Sequence, residues 1–218
     1  MLIILEGSDA SGKSTQFSLL CQALDAMGKG YTRLLFPQYE NPSSTLVRMY
    51  LSGEFGKKPT DVNPYAASTF YAVDRYASMK QSWGELHKQG KLLVADRYTT
   101  SNAIHQASKL PEGERESFFN WLFDFEYNLL ELPRPNMVIF LDMPFEYSQQ
   151  LLKKRDATTA ETRDIHEQDT EFLKSSCQTA CLAAEKCGWQ RVNCVENGQI
   201  RSIEDIHSQI FGLVRSIL

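Results

Sequence analysis

A phosphate-binding signature near the N-terminus constrains this chain more than any other feature. Residues 2–15 are predicted to form an apolar strand, a glycine-bounded loop and the first turn of a helix. Within them Gly7, Gly12, Lys13 and Ser14 fill the pattern G-x-x-x-x-G-K-[ST], in which backbone N–H groups and the positive end of the helix surround a phosphate. Lys13 is predicted to reach the β- and γ-phosphates, and Ser14 to bind Mg²⁺. The alternative, a helix that merely begins after a turn, does not explain the strand before it and the amphipathic helix after it. The predicted nucleotide-binding residues are Gly7, Ser8, Asp9, Ala10, Ser11, Gly12, Lys13, Ser14 and Thr15.

The composition is that of an ordinary globular protein and argues against several functions. With 218 residues, of which 42% are hydrophobic and 23% charged, the chain is predicted to form one domain with a substantial core. Its net charge of −4 argues against binding to nucleic acid or to a membrane. The strand that begins at Leu2 is taken to leave no room for a signal peptide. Five cysteines without metal-site spacing are interpreted as free thiols, which predicts a cytoplasmic location.

Predicted strands alternate along the chain with predicted helices. The strands are uniformly apolar, which is typical of a parallel sheet with helices on both faces. The chain is therefore predicted to be a single α/β domain over residues 1–218. The predicted strands are 2–6, 32–36, 91–95, 138–141 and 189–195; the predicted helices are 16–27, 43–51, 63–88, 112–130, 144–154, one that ends near 186 and one from 202; the predicted loops include 54–62 and a mobile loop at 155–166.

Four residues mark the carboxyl ends of predicted strands, where parallel sheets bind their ligands. They are Gly7, Phe36, Asp96 and Asp142. Asp96 follows an apolar strand, the usual place for a carboxylate that holds Mg²⁺, directly or through water, opposite a phosphate loop. Arg97 offers a planar guanidinium that suits a phosphate. The alternative is an ordinary surface Asp–Arg pair at the end of a strand.

Several segments beyond the phosphate loop resemble those of the thymidylate kinase (dTMP kinase) family. Asp96-Arg97-Tyr98, followed by Ser101-Asn102-Ala103 and Gln106, is similar to the family's Asp-Arg-Tyr segment. Residues 71–75 resemble its aromatic-x-x-x-Arg segment, and residues 163–167 its lid. The resemblance runs from about residue 3 to residue 215. It implies a three-layer P-loop kinase fold with a five-stranded parallel sheet and a short lid at about 153–167.

The resemblance implies how a thymine base is held. Tyr71 and Arg75 are four residues apart and share one face of a helix; in the family the aromatic ring stacks on thymine and the arginine bonds a base carbonyl. Phe70 competes with Tyr71 for the stacking role. Asn102 and Gln106 are also four apart and are predicted to read the base edge. The alternatives are a core Tyr71, a solvated Arg75, and ordinary surface positions for Asn102 and Gln106.

The remaining acceptor residues follow from the same resemblance. Asp9 is expected near the sugar 3′-hydroxyl and the acceptor phosphate, the alternative being a loop-stabilising aspartate. Arg97 is expected to grip the acceptor phosphate. The predicted dTMP-binding residues are Asp9, Phe36, Pro37, Tyr39, Phe70, Tyr71, Arg75, Arg97, Ser101, Asn102, His105 and Gln106.

The sequence departs from the family pattern at two points. His105 stands where many members carry Tyr, at the position implied to sense the missing 2′-hydroxyl. The phosphate loop also lacks the arginine that some members place there. The cation that completes the transition state is then predicted to come from the lid, with Arg163 the first choice and Arg155 the second. Arg155 is also predicted to contact ATP.

The predicted reaction is transfer of the ATP γ-phosphoryl group to dTMP, which gives dTDP and ADP. The predicted catalytic residues are Lys13, Arg97, Arg163, Asp9 and Asp96, and Ser14 and Asp96 are the predicted Mg²⁺ ligands. The alternatives are a deoxynucleoside kinase, for which Glu40 is the only nearby base, another pyrimidine monophosphate kinase, and a non-catalytic nucleotide-binding protein. The aromatic residues of 118–127 and the family resemblance predict a homodimer, against the alternative of a thick local core.

Overall fold

Five parallel strands form the sheet on which the rest of the molecule is built. The computed structural model describes residues 1–157 and 163–218. Its strands run in the order β2-β3-β1-β4-β5, and every neighbouring pair is parallel. The predicted α/β fold is confirmed, and the strand bounds differ from the predicted ones by no more than two residues. The strands are β1 (Leu2–Gly7), β2 (Tyr31–Leu35), β3 (Leu92–Asp96), β4 (Met137–Asp142) and β5 (Gln190–Asn193).

Helices cover both faces of this sheet. After β5 a short hairpin of β6 (Val195–Glu196) and β7 (Gln199–Ile200) replaces the end of the predicted fifth strand. Short 3₁₀ turns lie at Pro42–Ser44, Pro59–Asp61 and Ala107–Lys109. The helices are α1 (Lys13–Ala26), α2 (Thr45–Leu51), α3 (Pro64–Ser78), α4 (Gly84–Lys88), α5 (Thr99–His105), α6 (Glu112–Phe123), α7 (Phe145–Asp156), α8 (Ile165–Gln168), α9 (Thr170–Lys186) and α10 (Ile203–Arg215).

Two of the predicted helices contain a π-helical turn. The predicted helix 63–88 consists of α3, a π turn at Met79–Trp83, and α4. The predicted helix 112–130 consists of α6 and a π turn at Asp124–Leu129. A π turn holds one extra residue, so the side chains after it are rotated by about 100°, the angle of one α-helical residue.

The predicted loop 155–166 is partly helical. α7 continues through Asp156, and α8 begins at Ile165. Asp164 caps α8, because its Oδ1 accepts from the backbone N–H groups of His166 and Glu167 at 2.8 and 2.9 Å. The prediction of a loop is therefore wrong at both ends, and residues 158–162 lie outside the described part of the chain.

The core is divided between the two faces of the sheet by the alternation of side chains along each strand. Ile3 and Leu5 of β1 pack with α1 and α10 on one face. Leu2 and Ile4 pack with Trp83 on the other. All four β1 residues are fully buried, and each such aliphatic side chain stabilises the fold by about 1.5–3 kcal/mol. β1 is therefore anchored in the core, which determines where the phosphate loop begins.

All five cysteines are free thiols, as predicted. Across the described residues, no helix combines the length and the apolar character that crossing a membrane requires.

Candidate active site

The phosphate loop joins β1 to α1, and two glycines shape its backbone. Gly12 precedes α1 with φ of +84°, in the left-handed region that other residues rarely adopt. At Gly7, an added Cβ would lie 2.5 Å from the hydroxyl oxygen of Ser11. No described side chain caps the start of α1, so its first backbone N–H groups are available to an anion.

Lys13, in the first turn of α1, forms an ion pair with Asp96 at the end of β3. β1 and β3 are neighbours, and Leu5 pairs with Asp96 in the register, so the loop after β1 lies beside the end of β3. Burial lowers the pKa of Lys13, and the charge of Arg97 lowers it further, against the opposing effect of Asp96. A negatively charged phosphate near Lys13 would oppose this lowering.

Arg97 follows β3 with its backbone at φ of +66°, a left-handed conformation that is unusual outside glycine and is held by its surroundings. Its Nη2 donates to Asp9 Oδ1 at 2.6 Å, and its Nη1 lies 3.1 Å from His105 Nε2. Burial opposes both charges, but their mutual attraction together with the neighbouring charges outweighs it. The pKa of Arg97 is raised and the pKa of Asp9 is held well below its usual range, so both groups are ionised.

Glu6 is a buried carboxylate within β1 that the sequence motifs do not include. Its Oε2 accepts from the hydroxyls of Thr100 and Ser101 at 2.8 and 2.7 Å. Its Oε1 lies 3.7 Å from Nη1 of Arg97. Ser101, a predicted acceptor-binding residue, is thus bonded to Glu6 within the chain. The sequence did contain a signal for Glu6, namely an acidic residue within an apolar strand. A carboxylate buried in such a strand needs hydrogen-bond or ion-pair partners.

A cavity of about 960 Å³ brings most of the predicted site together. Three predicted residues are not among the described residues that line it: Gly7, which is buried beneath the loop, Phe70 and Arg163. The cavity also borders residues that were not predicted as site residues, including Gln38 and, from the predicted lid, Asp164 and His166. The predicted residues that line it are Ser8, Asp9, Ala10, Ser11, Gly12, Lys13, Ser14, Thr15, Phe36, Pro37, Tyr39, Tyr71, Arg75, Asp96, Arg97, Ser101, Asn102, His105, Gln106 and Arg155.

The two neighbouring aromatic residues of α3 have different surroundings. Tyr71 lines the cavity, and its ring packs edge-on against Tyr50 with the centroids 6.4 Å apart. Phe70 packs instead on Phe55, at 5.7 Å between centroids. The helix rotation that separates adjacent residues thus assigns Tyr71, rather than Phe70, to the cavity wall.

Arg75 reaches the same cavity from one turn further along α3. It is 2% exposed, so the alternative of a solvated arginine is wrong. Its partner is Glu126 of the π turn after α6, with Arg75 Nε 2.7 Å from Glu126 Oε2.

His105 and Gln106, at the end of α5, complete this wall, and Lys109 follows them outside the lining. Burial lowers the pKa of His105 to about 4 and that of Lys109 to about 7. The side-chain amide of Gln106 has no hydrogen-bond partner among the described residues. Because an unsatisfied buried amide costs about 1–3 kcal/mol, Gln106 is ready to bond a polar ligand.

The two lid arginines share Asp156 as an acidic partner, and of the two only Arg155 lines the cavity. Arg155 lines the cavity and donates from Nη2 to Glu167 Oε1 at 2.8 Å. Arg163 donates from Nε to Asp156 Oδ2 at 2.8 Å. Asp164, next to Arg163 in the chain, also lines the cavity, and burial raises its pKa to about 6.

Comparison with known proteins gives consistent matches. Residues 5–210 match the family model described as thymidylate kinase. The chain is 31% identical over 192 residues to the thymidylate kinase of Mycobacterium tuberculosis (strain CDC 1551 / Oshkosh), covering 87% of each chain. It is 30% identical over 214 residues to the probable thymidylate kinase of Pyrococcus horikoshii, covering 98% of this chain and 95% of that one. Over 143 residues it is 32% identical to human thymidylate kinase, covering 65% and 60%. The family match thus extends from β1 into α10.

Proposed function

The chain belongs to the thymidylate kinase family, and we propose that its cavity holds ATP and dTMP end to end. The enzyme phosphorylates dTMP to dTDP with ATP. The observation that carries the proposed arrangement is that the phosphate loop and Arg97 border one cavity. Two substrates that each carry phosphate need cations for both, and Lys13 and Arg97 supply them.

In this proposal the donor ATP lies on the phosphate loop. Backbone N–H groups after Gly7 and at the start of α1 surround its phosphates, and Lys13 neutralises the β- and γ-phosphates. Ser14 and Asp96 fit a Mg²⁺ ion, because a hydroxyl and a carboxylate are the oxygen ligands that this cation prefers. When bound, Mg²⁺ would supply positive charge against the phosphate oxygens. Arg155 contacts the same nucleotide from the lid.

The acceptor dTMP lies between α3, α5 and the loop after β2. Tyr71 stacks on thymine, since an aromatic face suits a flat base. Arg75, Asn102 and Gln106 bond the base edge. Arg97 and Asp9 lie at the phosphate and sugar end. Phe36, Pro37, Tyr39, Ser101 and His105 complete the acceptor pocket, and Phe70 packs on Phe55 outside its lining.

The proposed chemistry is positioning and charge neutralisation. The acceptor phosphate is already negatively charged at neutral pH, so its oxygen attacks the γ-phosphorus without a general base. Charge spreads over the transferred group in the transition state, and in this proposal Lys13, Arg97 and a lid arginine neutralise it. Arg163 is the first candidate for that lid arginine. Closure of the lid also excludes water and so suppresses hydrolysis of ATP.

A panel of acceptors tests this function. Purified enzyme with ATP and Mg²⁺ is offered dTMP, dUMP, UMP, CMP and thymidine, and ADP formation is measured. We expect dTMP to give the highest kcat/KM, and thymidine, which lacks the phosphate that Arg97 binds, to give no turnover above background. Preference for thymidine or CMP would contradict the proposal, and so would nucleotide binding without transfer.

We also propose that the enzyme is a homodimer that works in the cytoplasm. Phe118 and Phe119 of α6 are buried in the chain's own core, whereas Tyr65, Val73 and Tyr76 expose 38–50% of their surface along α3. This apolar stripe is a candidate dimer face, and sedimentation tests it. Five free thiols favour a reducing compartment.

A further inference from the structure

Glu126 is a fully buried carboxylate that does not itself border the cavity. It is 0% exposed and is absent from the described residues that line the cavity. It lies in the π turn Asp124–Leu129. This turn departs from the α-helical repeat. The side chain of Glu126 therefore points in a direction that the α-helical pattern of α6 would not give it.

Both oxygens of Glu126 are bonded to side chains of two other helices. Its Oε2 accepts from Arg75 Nε at 2.7 Å and from the Thr99 hydroxyl at 2.7 Å. Its Oε1 accepts from Arg75 Nη2 at 2.5 Å and from Asn102 Nδ2 at 3.2 Å. One carboxylate thus joins α3, which carries Arg75, to α5, which carries Asn102.

These bonds determine what Arg75 presents to a ligand. A guanidinium has five N–H donors and no acceptor. Glu126 takes two of them, and the carbonyl of Tyr98 accepts a third from Nη1 at 3.3 Å. Two N–H groups are left on a side chain that lines the cavity. Arg75 therefore faces a ligand as a fixed hydrogen-bond donor.

The same carboxylate determines the orientation of the Asn102 amide. Asn102 Nδ2 donates to the backbone carbonyl of Ser68 and to Glu126 Oε1, each at 3.2 Å. Both partners only accept, so the NH₂ side of the amide must face them. The amide oxygen is then directed away from Glu126, and Asn102 offers the cavity a hydrogen-bond acceptor.

We infer that Glu126 is a positioning residue that sets the hydrogen-bond polarity of the base site. A fixed donor beside a fixed acceptor complements a ring with a carbonyl at position 4 and an N–H at position 3, which thymine and uracil have. Cytosine presents an amino group and an unprotonated nitrogen there, the reverse pattern. This inference rests on the proposed function, in which Arg75 and Asn102 meet the base.

Glu126→Gln tests the inference. Glutamine keeps the size of the side chain, but its NH₂ group faces a donor of Arg75 or of Asn102, so one of the two loses its orientation. With dTMP, dUMP and dCMP as acceptors at saturating ATP, we expect the KM for dTMP and dUMP to rise about 10-fold or more, with kcat within about 3-fold. The ratio of kcat/KM for dTMP over dCMP falls by about 10-fold. The KM for ATP stays unchanged.

Two further variants make the result specific. Asp124→Asn removes an exposed carboxylate from the same turn and is expected to keep the wild-type base preference. Glu126→Asp keeps the carboxylate but moves it away from Arg75 by the length of one methylene. This variant provides the test if Glu126→Gln does not fold. It is also expected to lower the dTMP/dCMP ratio.

The outcomes separate this inference from the proposed base site. Arg75→Ala and Asn102→Ala are measured alongside, and once both of these partners are removed, adding Glu126→Gln is expected to cause no further loss of preference. If Arg75→Ala changes the base preference and the Glu126 variants do not, the positioning role is refuted. A uniform loss of kcat with all three acceptors would also refute it, because Glu126 would then only support the fold. An unchanged preference in Arg75→Ala would refute the proposed base site together with this inference.

Discussion

Arg97 donates a hydrogen bond from Nη2 to Oδ1 of Asp9 over 2.6 Å, which joins the end of β3 to the phosphate loop. The two residues are 88 positions apart in the chain, and both border the cavity. Asp9 holds the guanidinium of Arg97 in place, and the positive charge of Arg97 remains available to a ligand. A phosphate that arrives beside Arg97 therefore meets a cation whose position is already determined.

Arg97→Ala is expected to weaken the binding of dTMP. Hydrogen bonds to charged groups contribute about 1.5–3 kcal/mol, so the dissociation constant should rise about 10- to 150-fold. Calorimetric titration with dTMP measures it. Arg134→Ala, outside the lining of this cavity, serves as the control and should bind dTMP like the wild type. Equal affinity in Arg97→Ala would contradict the role of Arg97 in acceptor binding.

Tyr71→Ala and Phe70→Ala form a matched pair on one helix. Stacking of a base on an aromatic ring is worth about 1–3 kcal/mol, so Tyr71→Ala should raise the dissociation constant for dTMP about 5- to 150-fold. Phe70→Ala should lower the free energy of unfolding through its lost contact with Phe55, while dTMP affinity stays within about 2-fold. The reverse pattern in titration and urea unfolding would assign stacking to Phe70.

Arg163→Ala is expected to reduce turnover far more than dTMP affinity. Arginines that neutralise a phosphoryl transition state are worth about 10³ or more in kcat. Arg163 is bonded to Asp156 at the start of the lid, so this role requires a movement of the lid when substrates bind. Arg155→Ala is the comparison, since Arg155 already lines the cavity. If single-turnover rates fall more for Arg155→Ala, the catalytic lid arginine is Arg155.

His105→Gln is expected to reduce the loss of stability at acid pH. Burial lowers the pKa of His105 from 6.5 to about 4, so between these values the unfolded chain binds a proton that the folded chain does not. The free energy of unfolding therefore rises with pH across this window, and this contribution is lost as pH falls below the unfolded pKa.

Urea unfolding of both proteins at about pH 5 and about pH 7.5 measures the difference. Asp164, whose pKa burial raises to about 6, has the opposite effect, but the wild type and His105→Gln share it. The wild type should lose more stability between the two pH values. Parallel losses would show that His105 is not held neutral by burial.

Local sequence patterns predicted the features whose residues lie close together in the sequence. The phosphate loop needs glycine at Gly7 and Gly12 and charge at Lys13, all within one short segment. The structure gives a steric reason for Gly7 and a backbone reason for Gly12. Apolar runs predicted the three central strands β1, β3 and β4, because a strand buried on both faces must be apolar throughout. The edge strands β2 and β5 were also predicted, but they carry exposed polar residues such as Arg33 and Gln190. The two π turns were not predicted, since no periodicity in the sequence distinguishes them from an α-helix.

Residues that act through distant partners escaped the sequence patterns. Glu6 is an acid within an apolar strand and Glu126 an acid between two aromatic residues, and their partners on α5 are more than 20 residues away in the chain. The choice between Phe70 and Tyr71 depended on the rotation of α3 against its neighbours. A shift of one residue turns a helical side chain by about 100°, which is finer than the apolar pattern resolves.

By itself the sequence determined the fold class, the phosphate loop and the family, because these depend on local backbone preferences and on burial of whole strands. Only the tertiary structure decided which side chains meet: Lys13 with Asp96, Arg97 with Asp9, and Arg75 with Glu126. The physical reason is that a buried charge is stable only beside its partner. Where that partner lies is set by the packing of the helices on the sheet, which no short stretch of sequence contains.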